Sequence, residues 1–292
     1  SILVTTSCSD FLTENPQGKL TPENFFSNQA ELDMSVYALY AKVQAFQCNS
    51  NPMIVQCQGD DVTSTTGSNK AAYLSADSFE APSDVKGLRD CWNRLYTIIQ
   101  AANLIVDNAA NAKANQEEIN IALGQAHYWR AFSYFSLVRV FGALPINLHN
   151  TPDNNTTPLT TVEDVYALIL KDLATAEKCN LPAKYTAINR SINGQNIYVS
   201  DQTVKATQAA VYMAMAGYPL NKTELYATAA TKAKEVIDGV NSGKYPHGLL
   251  ADYADVYSYG NNQHFETLLG IDYNSIPGGW SEGDSQLSSC HQ

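Results

Sequence analysis

The sequence predicts a mainly α-helical protein, a tetratricopeptide-like helical-hairpin solenoid with long irregular loops. Three observations carry this expectation. Apolar residues recur at helical spacing in six segments. Cap residues open several of these segments, and glycine or proline closes them. The last two form a helix–turn–helix pair rich in small residues, AAVYMAMAGY followed by LYATAATKAKEVI. Small side chains let paired helices approach closely, as in repeat solenoids, although the strict repeat consensus is absent and the analogy is a loose one.

The elements follow in order. Thr21-Pro22 reads as a cap with proline at the first helical position, opening a helix through Phe26, Val36 and Tyr40. A polar, glycine-bearing loop spans Asn49 to Pro82, and a second helix runs from about Asp84 to Asn111. The third helix opens at Asn115, with Glu118 placed for a capping box, and stops at Gly142 with Pro145 beyond. Thr161 caps a fourth helix carrying Val165, Ile169, Leu173 and Ala176. A fifth is expected over about Ser200 to Gly217. The sixth is capped by Asn221 with Glu224 and ends before Gly239. Beyond Lys244-Tyr245 the pattern dissolves into loops, with one short strand expected at Thr267 to Ile271.

The third helix is the most informative. From Gly124 to Ile146 it reads GQAHYWRAFSYFSLVRVFGALPI, apolar on nearly every side. A helix of that kind belongs in the middle of a structure, packed on both faces. Arg130 falls inside the stripe of Ile119, Leu123, Ala126, Leu137 and Phe141. A guanidinium there needs a carboxylate or backbone carbonyls to satisfy it, so Arg130 is expected to be a buried, paired structural charge. Arg139 faces elsewhere. Trp92 and Trp129 lie inside helices and are expected to be structural.

Composition bounds the function. The 292 residues carry 18 Lys and Arg against 29 Asp and Glu, a net charge of −11. This opposes nucleic acid and anionic lipid headgroups as partners. No uncharged apolar run is long enough to span a bilayer as a helix. A surface of amides and hydroxyls suits an exported protein and neutral, hydrogen-bonding ligands such as sugars. The chain opens SILVTTSCSD. Ile2, Leu3 and Val4 resemble the tail of a signal-peptide apolar region, and Ser7 precedes Cys8, a candidate for lipidation. Membrane attachment would then come only through a lipid anchor. Of the other cysteines, Cys48 and Cys57 bracket a short loop, while Cys91, Cys179 and Cys290 complete the set. Pairing between some of them and burial as free thiols are both open.

Catalytic and metal motifs are incomplete in this sequence. Gly279-Trp280-Ser281-Glu282-Gly283 matches the nucleophile elbow formally, but it lacks the strand before the serine, and only nine residues follow Gly283. His127, His149, His247, His264 and His291 show no metal spacing. Asp153, Asn155 and Thr157 alternate as in a calcium loop, yet Pro158 stands where that loop needs glycine. No catalytic residue, metal or cofactor is therefore expected. Sugar binding has more behind it, because pyranose C–H faces stack on aromatic rings while hydroxyls need polar side chains. Two loops combine the two. One runs from Asp60 to Tyr73 with Asp61, Asn69 and Tyr73; the other runs from Tyr253 to Trp280 with Tyr257, Tyr259 and Tyr273. Trp280, flanked by Gly278 and Gly279, has no helix to stabilise and is the leading stacking candidate. The structural alternative is that it covers an apolar face.

The third helix also carries a family resemblance. Gly124, Ala126, Arg130, Ala131, Tyr134, Phe135, Leu137, Val138, Arg139, Phe141, Gly142 and Pro145 form a pattern that resembles the signature helix of the SusD/RagB family. Trp92, Tyr96, Ile99 and Asn103 resemble a second family helix. Tyr166, Asp172, Leu173, Leu181 and Pro182 resemble a third segment, and Ser242-Gly243-Lys244-Tyr245 the end of the last paired helix. The resemblance implies a glycan-binding lipoprotein on the cell surface of the outer membrane, without enzymatic activity. Such a protein captures an oligosaccharide or polysaccharide and passes it to a SusC-like TonB-dependent transporter, its helices serving as scaffold and docking face. It also implies residues 1–7 as a signal-peptide remnant, 8–20 as a tether and 21–292 as a SusD-like helical domain lacking the C-terminal part of the family fold. Family aromatic residues follow no fixed motif, so none transfers to a number here. The competing expectations are a helical-repeat protein scaffold without glycan affinity and an α-helical glycoside hydrolase or lyase.

Overall fold

The computed structural model describes residues 25–49, 59, 63, 71–80, 82, 85–150, 157–187, 189–192, 194–258 and 265–271. Within them the protein is a succession of α-helices joined by turns. These are α1 (Gln29–Asn49), α2 (Ala71–Asp77), α3 (Lys86–Asn108), α4 (Gln116–Phe141), α5 (Val162–Lys178), α6 (Asp201–Ala216) and α7 (Leu225–Asn241). A 3-10 turn, Ala109–Asn111, extends α3, and another covers Tyr253–Tyr257. From α3 onward, helices adjacent in sequence pack on one another, most extensively α3 with α4, α4 with α5 and α6 with α7. Helix α1 lies against both α3 and α4, so α4 has neighbours on several sides. That position matches its all-round apolar sequence.

Two small antiparallel ribbons decorate the helices. Leu144–Pro145 (β1) pairs with Leu159–Thr160 (β2), and Ser191–Ile192 (β3) with Gln195–Asn196 (β4). One continuous core runs from Phe26 and Leu32 through Ile98, Trp129, Tyr134 and Leu173 to Val211. Among the described residues no helix is long and apolar enough to cross a membrane.

Local chemistry explains several helix boundaries. The Asn115 side chain accepts from Glu117 N at 3.0 Å, and Gly142 closes α4 at φ 73. Thr161 Oγ1 accepts from Asp164 N at 3.2 Å to open α5. Each carries a backbone amide that the helix itself cannot pair.

Several expectations are corrected. The first helix does not run unbroken to Tyr40: it is interrupted after Phe25 by a bend over Phe26 and Ser27, Asn28 bridges to Lys113, and α1 starts at Gln29. Asn28 Oδ1 accepts from Glu31 N at 3.1 Å, while Ser27 N and Oγ donate to Glu31 Oε2. This local cap sets the start of α1; Thr21 and Pro22 lie outside the described residues. The long loop from Asn49 to Pro82 contains helix α2. Glu118 does not complete a capping box, because its carboxylate grips Arg190 instead, at 2.6 Å. Asn221 does not cap α7 but sits at φ 51 in the turn before it, its amide donating to Gly217 O at 2.8 Å. Helix α7 also runs past Gly239. A Cβ there would lie 2.2 Å from the Tyr245 ring, so the glycine is a close-packing site within the helix. Gly243, at φ 75, turns the chain so that Tyr245 N reaches Gly239 O at 3.0 Å. The strand expected at Thr267 to Ile271 is absent; those residues are irregular, with a bend at Leu268 and Leu269. Cys91 and Cys179 are free thiols, and burial pushes the Cys91 thiol up to about 11. Cys57, Cys290 and the Cys48 side chain lie outside the described residues.

Candidate functional site

At the centre of the helices lies a buried polar cluster. Arg130, 5% exposed, donates through Nε to Asp172 Oδ2 at 2.8 Å and through Nη2 to Oδ1 at 2.7 Å. This bidentate fork joins α4 to α5. Nη1 donates to Asn103 Oδ1 at 2.8 Å, which brings in α3. Asn103 Nδ2 in turn donates to Asn147 O at 2.9 Å, and Asn147 N donates to Tyr134 Oη at 2.8 Å. His127 Nδ1 lies 2.8 Å from Asp172 Oδ1. Burial alone would push the Asp172 carboxyl up, but the hydrogen bonds from Arg130 and His127 outweigh it and hold the carboxyl below its ordinary value. Burial pushes the Tyr134 hydroxyl up to about 12, so it stays a neutral donor and acceptor.

Gln125 organises a second buried network, one turn earlier on α4. Its Oε1 accepts from Val199 N at 2.9 Å and from Tyr40 Oη at 2.6 Å, and its Nε2 donates to Val199 O at 3.0 Å. A side-chain amide thus pairs with both backbone groups of one residue, as a neighbouring strand would. Tyr40 stacks on Tyr198 with ring centroids 4.7 Å apart, and Tyr185 Oη also donates to Val199 O at 2.9 Å. Both networks are enclosed and fully engaged in holding helices together. Their arrangement offers no open face to a substrate.

Exposed aromatic chemistry lies elsewhere. In the 3-10 turn Tyr253–Tyr257 the two tyrosines, each 74% exposed, meet edge to face with centroids 5.5 Å apart. Their hydroxyls are 3.1 Å apart, and that hydrogen bond raises the Tyr257 phenol above its ordinary value. The Asp252 carboxylate accepts from Ala254 N at 2.9 Å and so opens the turn. Two rings held in fixed relation to each other, with polar tips in water, can stack on a sugar face and bond its hydroxyls.

The sequence-derived site residues divide accordingly. Tyr257 is described and exposed. Tyr73 lies in helix α2 by its backbone, not in a loop as expected, and its side chain is outside the described set. Asp61, Asn69, Tyr259, Tyr273, Trp280 and the lipidation candidate Cys8 also lie outside the described residues. Trp92 packs within the helices, its ring 5.0 Å from Phe141 and 4.9 Å from Tyr96. Tyr253 was named only as the start of a loop, although its spacing of four from Tyr257 is a signal that the two rings share one side of a turn. Gln125 carries no signal in the sequence, since an amide in an apolar run has no periodic mark. Among the described residues no group of three His, Cys, Asp or Glu could hold a metal ion.

Comparison with known proteins then identifies the architecture. Residues 10–216 match the SusD-like family described as starch-binding and associating with the outer membrane. SusD-like protein P2 of Formosa agariphila is 28% identical over 278 residues, covering 93% of this chain and 51% of that protein. A SusD homologue from Bacteroides thetaiotaomicron superposes with a TM-score of 0.64 at 23% identity, over 81% of this chain and 44% of that one. A laminarin-binding SusD-like protein superposes with a TM-score of 0.68 at 20% identity, over 84% and 51%. At these identities the two superpositions establish the fold. The chain spans about half the length of the relatives it matches, and it belongs to the SusD-like family.

Proposed function

We propose that this chain is part of a cell-surface glycan-binding lipoprotein of the outer membrane. It captures an oligosaccharide without transforming it and passes it to a TonB-dependent transporter. The observation that carries the reading is the exposed Tyr253–Tyr257 pair, set outside the helical core in a chain of this family. The starch-binding description of the family and the laminarin-binding relative make α- and β-glucans the first ligands to test. Trp280, Tyr273, Tyr259 and Tyr257 would stack on sugar rings, and Asp61 and Asn69 from the first loop and Tyr73 from helix α2 would supply further contacts. Cys8 would carry the lipid anchor. Neutral tyrosine and amide contacts require no titrating group, so affinity should be flat across the neutral range.

Isothermal titration calorimetry with starch- and laminarin-derived oligosaccharides tests this. Tyr257→Ala and Trp280→Ala should each weaken binding about tenfold, the value of one lost stacking ring. Absence of heat with every oligosaccharide would end the glycan reading. Unchanged affinity in both variants would move the site elsewhere. Release of reducing ends during incubation would favour an enzyme.

A further inference from the structure

Helix α2 ends in a turn whose hydrogen bonds dictate an unusual backbone. Phe79 N donates to Ala76 O at 3.0 Å, and Glu80 N donates to Ser75 O at 2.8 Å. This paired closure is the Schellman arrangement, which requires a left-handed residue just beyond the helix. Phe79 occupies that position at φ 57. Glycine is the usual occupant, because a Cβ there crowds the following carbonyl oxygen. A phenylalanine in that conformation is strained, and its ring is also 72% exposed, so burial does not offset the strain. One residue therefore breaks two folding preferences at once. Such a residue points to a role other than folding.

The surroundings indicate which role. Ser78 and Glu80, on either side, are exposed, and the Glu80 carboxylate has no partner among the described residues. Thr63 Oγ1 donates to Asp77 Oδ2 at 2.9 Å, which places a second hydroxyl residue beside this turn. A protein-docking surface needs a contiguous apolar centre. Here a single ring projects between a hydroxyl and a carboxylate, and among the described side chains of α2 the other large exposed apolar one is Leu74. A pyranose fits that composition, with its C–H face on the ring and its hydroxyls donating to Glu80 and to Ser78 Oγ, whose own proton goes to Leu74 O at 2.9 Å. We infer that Phe79 is a sugar-stacking residue, held outward by the left-handed turn that ends α2, and that Glu80 accepts a hydroxyl of the same sugar. This rests on the glycan-binding reading and adds a contact that it does not contain.

The test uses the full chain, with the starch- and laminarin-derived oligosaccharides as probes and calorimetry beside thermal unfolding. The parent protein should bind. Phe79→Gly removes both ring and strain, so affinity should fall about tenfold while the melting midpoint holds or rises. Phe79→Trp keeps a stacking face and should stay within about threefold of the parent. Leu74→Ala should leave binding unchanged. Parent-like affinity in Phe79→Gly, alongside a parent that binds, would overturn the assignment of Phe79 alone. An equal loss in Leu74→Ala would trace the effect to α2 as a whole and overturn it too. A parent that binds none of the glycans would remove the glycan reading and this contact together.

Discussion

Replacing Arg130 by methionine is the sharpest probe of the helical scaffold. The substitution keeps the volume and apolar stem but removes three hydrogen bonds, two to Asp172 and one to Asn103. Asp172 is only 2% exposed and would be left as a buried carboxylate with His127 as its remaining side-chain partner. Breaking a buried pair from one side costs about 3–5 kcal/mol. At the usual unfolding entropy per residue, a chain of this length should melt about 5–8 °C lower. The double variant Arg130→Met, Asp172→Leu removes both charges and should recover more than half of the loss, because an apolar pair of similar volume satisfies itself. Urea denaturation of the two single variants and the double closes a thermodynamic cycle. A single-variant loss under about 1 kcal/mol, or additive effects in the double, would refute the view that the three helices meet on a desolvated charge.

Three other outcomes follow from the same packing. Gly239→Ala places a methyl group 2.2 Å from the Tyr245 ring and should destabilise by about 2 kcal/mol or more, seen as a lower urea midpoint. Gln125→Leu keeps an apolar contact but strips Val199 of its side-chain amide partner, and should cost about 1–3 kcal/mol by the same assay. Stability should also fall in acid. The Asp172 carboxyl is held below its ordinary value in the folded protein, so its contribution is present above the unfolded value, near 4, and is lost as pH falls through the lower folded value. Urea midpoints from pH 6 down to about pH 3 should drop, and the slope should be shallower in the Arg130→Met, Asp172→Leu double variant.

Helix identity was legible in the sequence because it depends on local periodicity and caps. Asn115, Gly142 and Thr161 act through neighbours within four residues, and a linear reading finds such partners. The failures share a cause. Glu118 had a local partner available, yet Arg190, 72 residues away, won it with two charged donors. Gly239 looked like a stop because glycine ends many helices; the tyrosine ring that requires it lies six residues on and reaches it only through the Gly243 turn. Helix α2 was hidden because seven residues are too few for a periodic pattern to rise above the surrounding polar loop. The candidate site was least legible of all, since sugar-binding rings need exposure and mutual geometry, neither of which is periodic.

The resemblance motifs gain a physical meaning from the central cluster. Asn103, Arg130 and Asp172 come from three separate sequence patterns, and in the folded chain they are consecutive members of one hydrogen-bonded chain across α3, α4 and α5. Apolar helix faces slide on one another at little cost, since many registers bury similar area. A bidentate Arg–carboxylate fork with a fixed amide on its third nitrogen tolerates one register only. Gln125 does the same for α4 against the Val199 strand-like segment. Small-residue helices supply cohesion, and these polar groups fix where each hairpin sits. A ring carried on a turn next to such a helix is thereby held at a fixed place on the scaffold, as Tyr253 and Tyr257 are held to each other with centroids 5.5 Å apart.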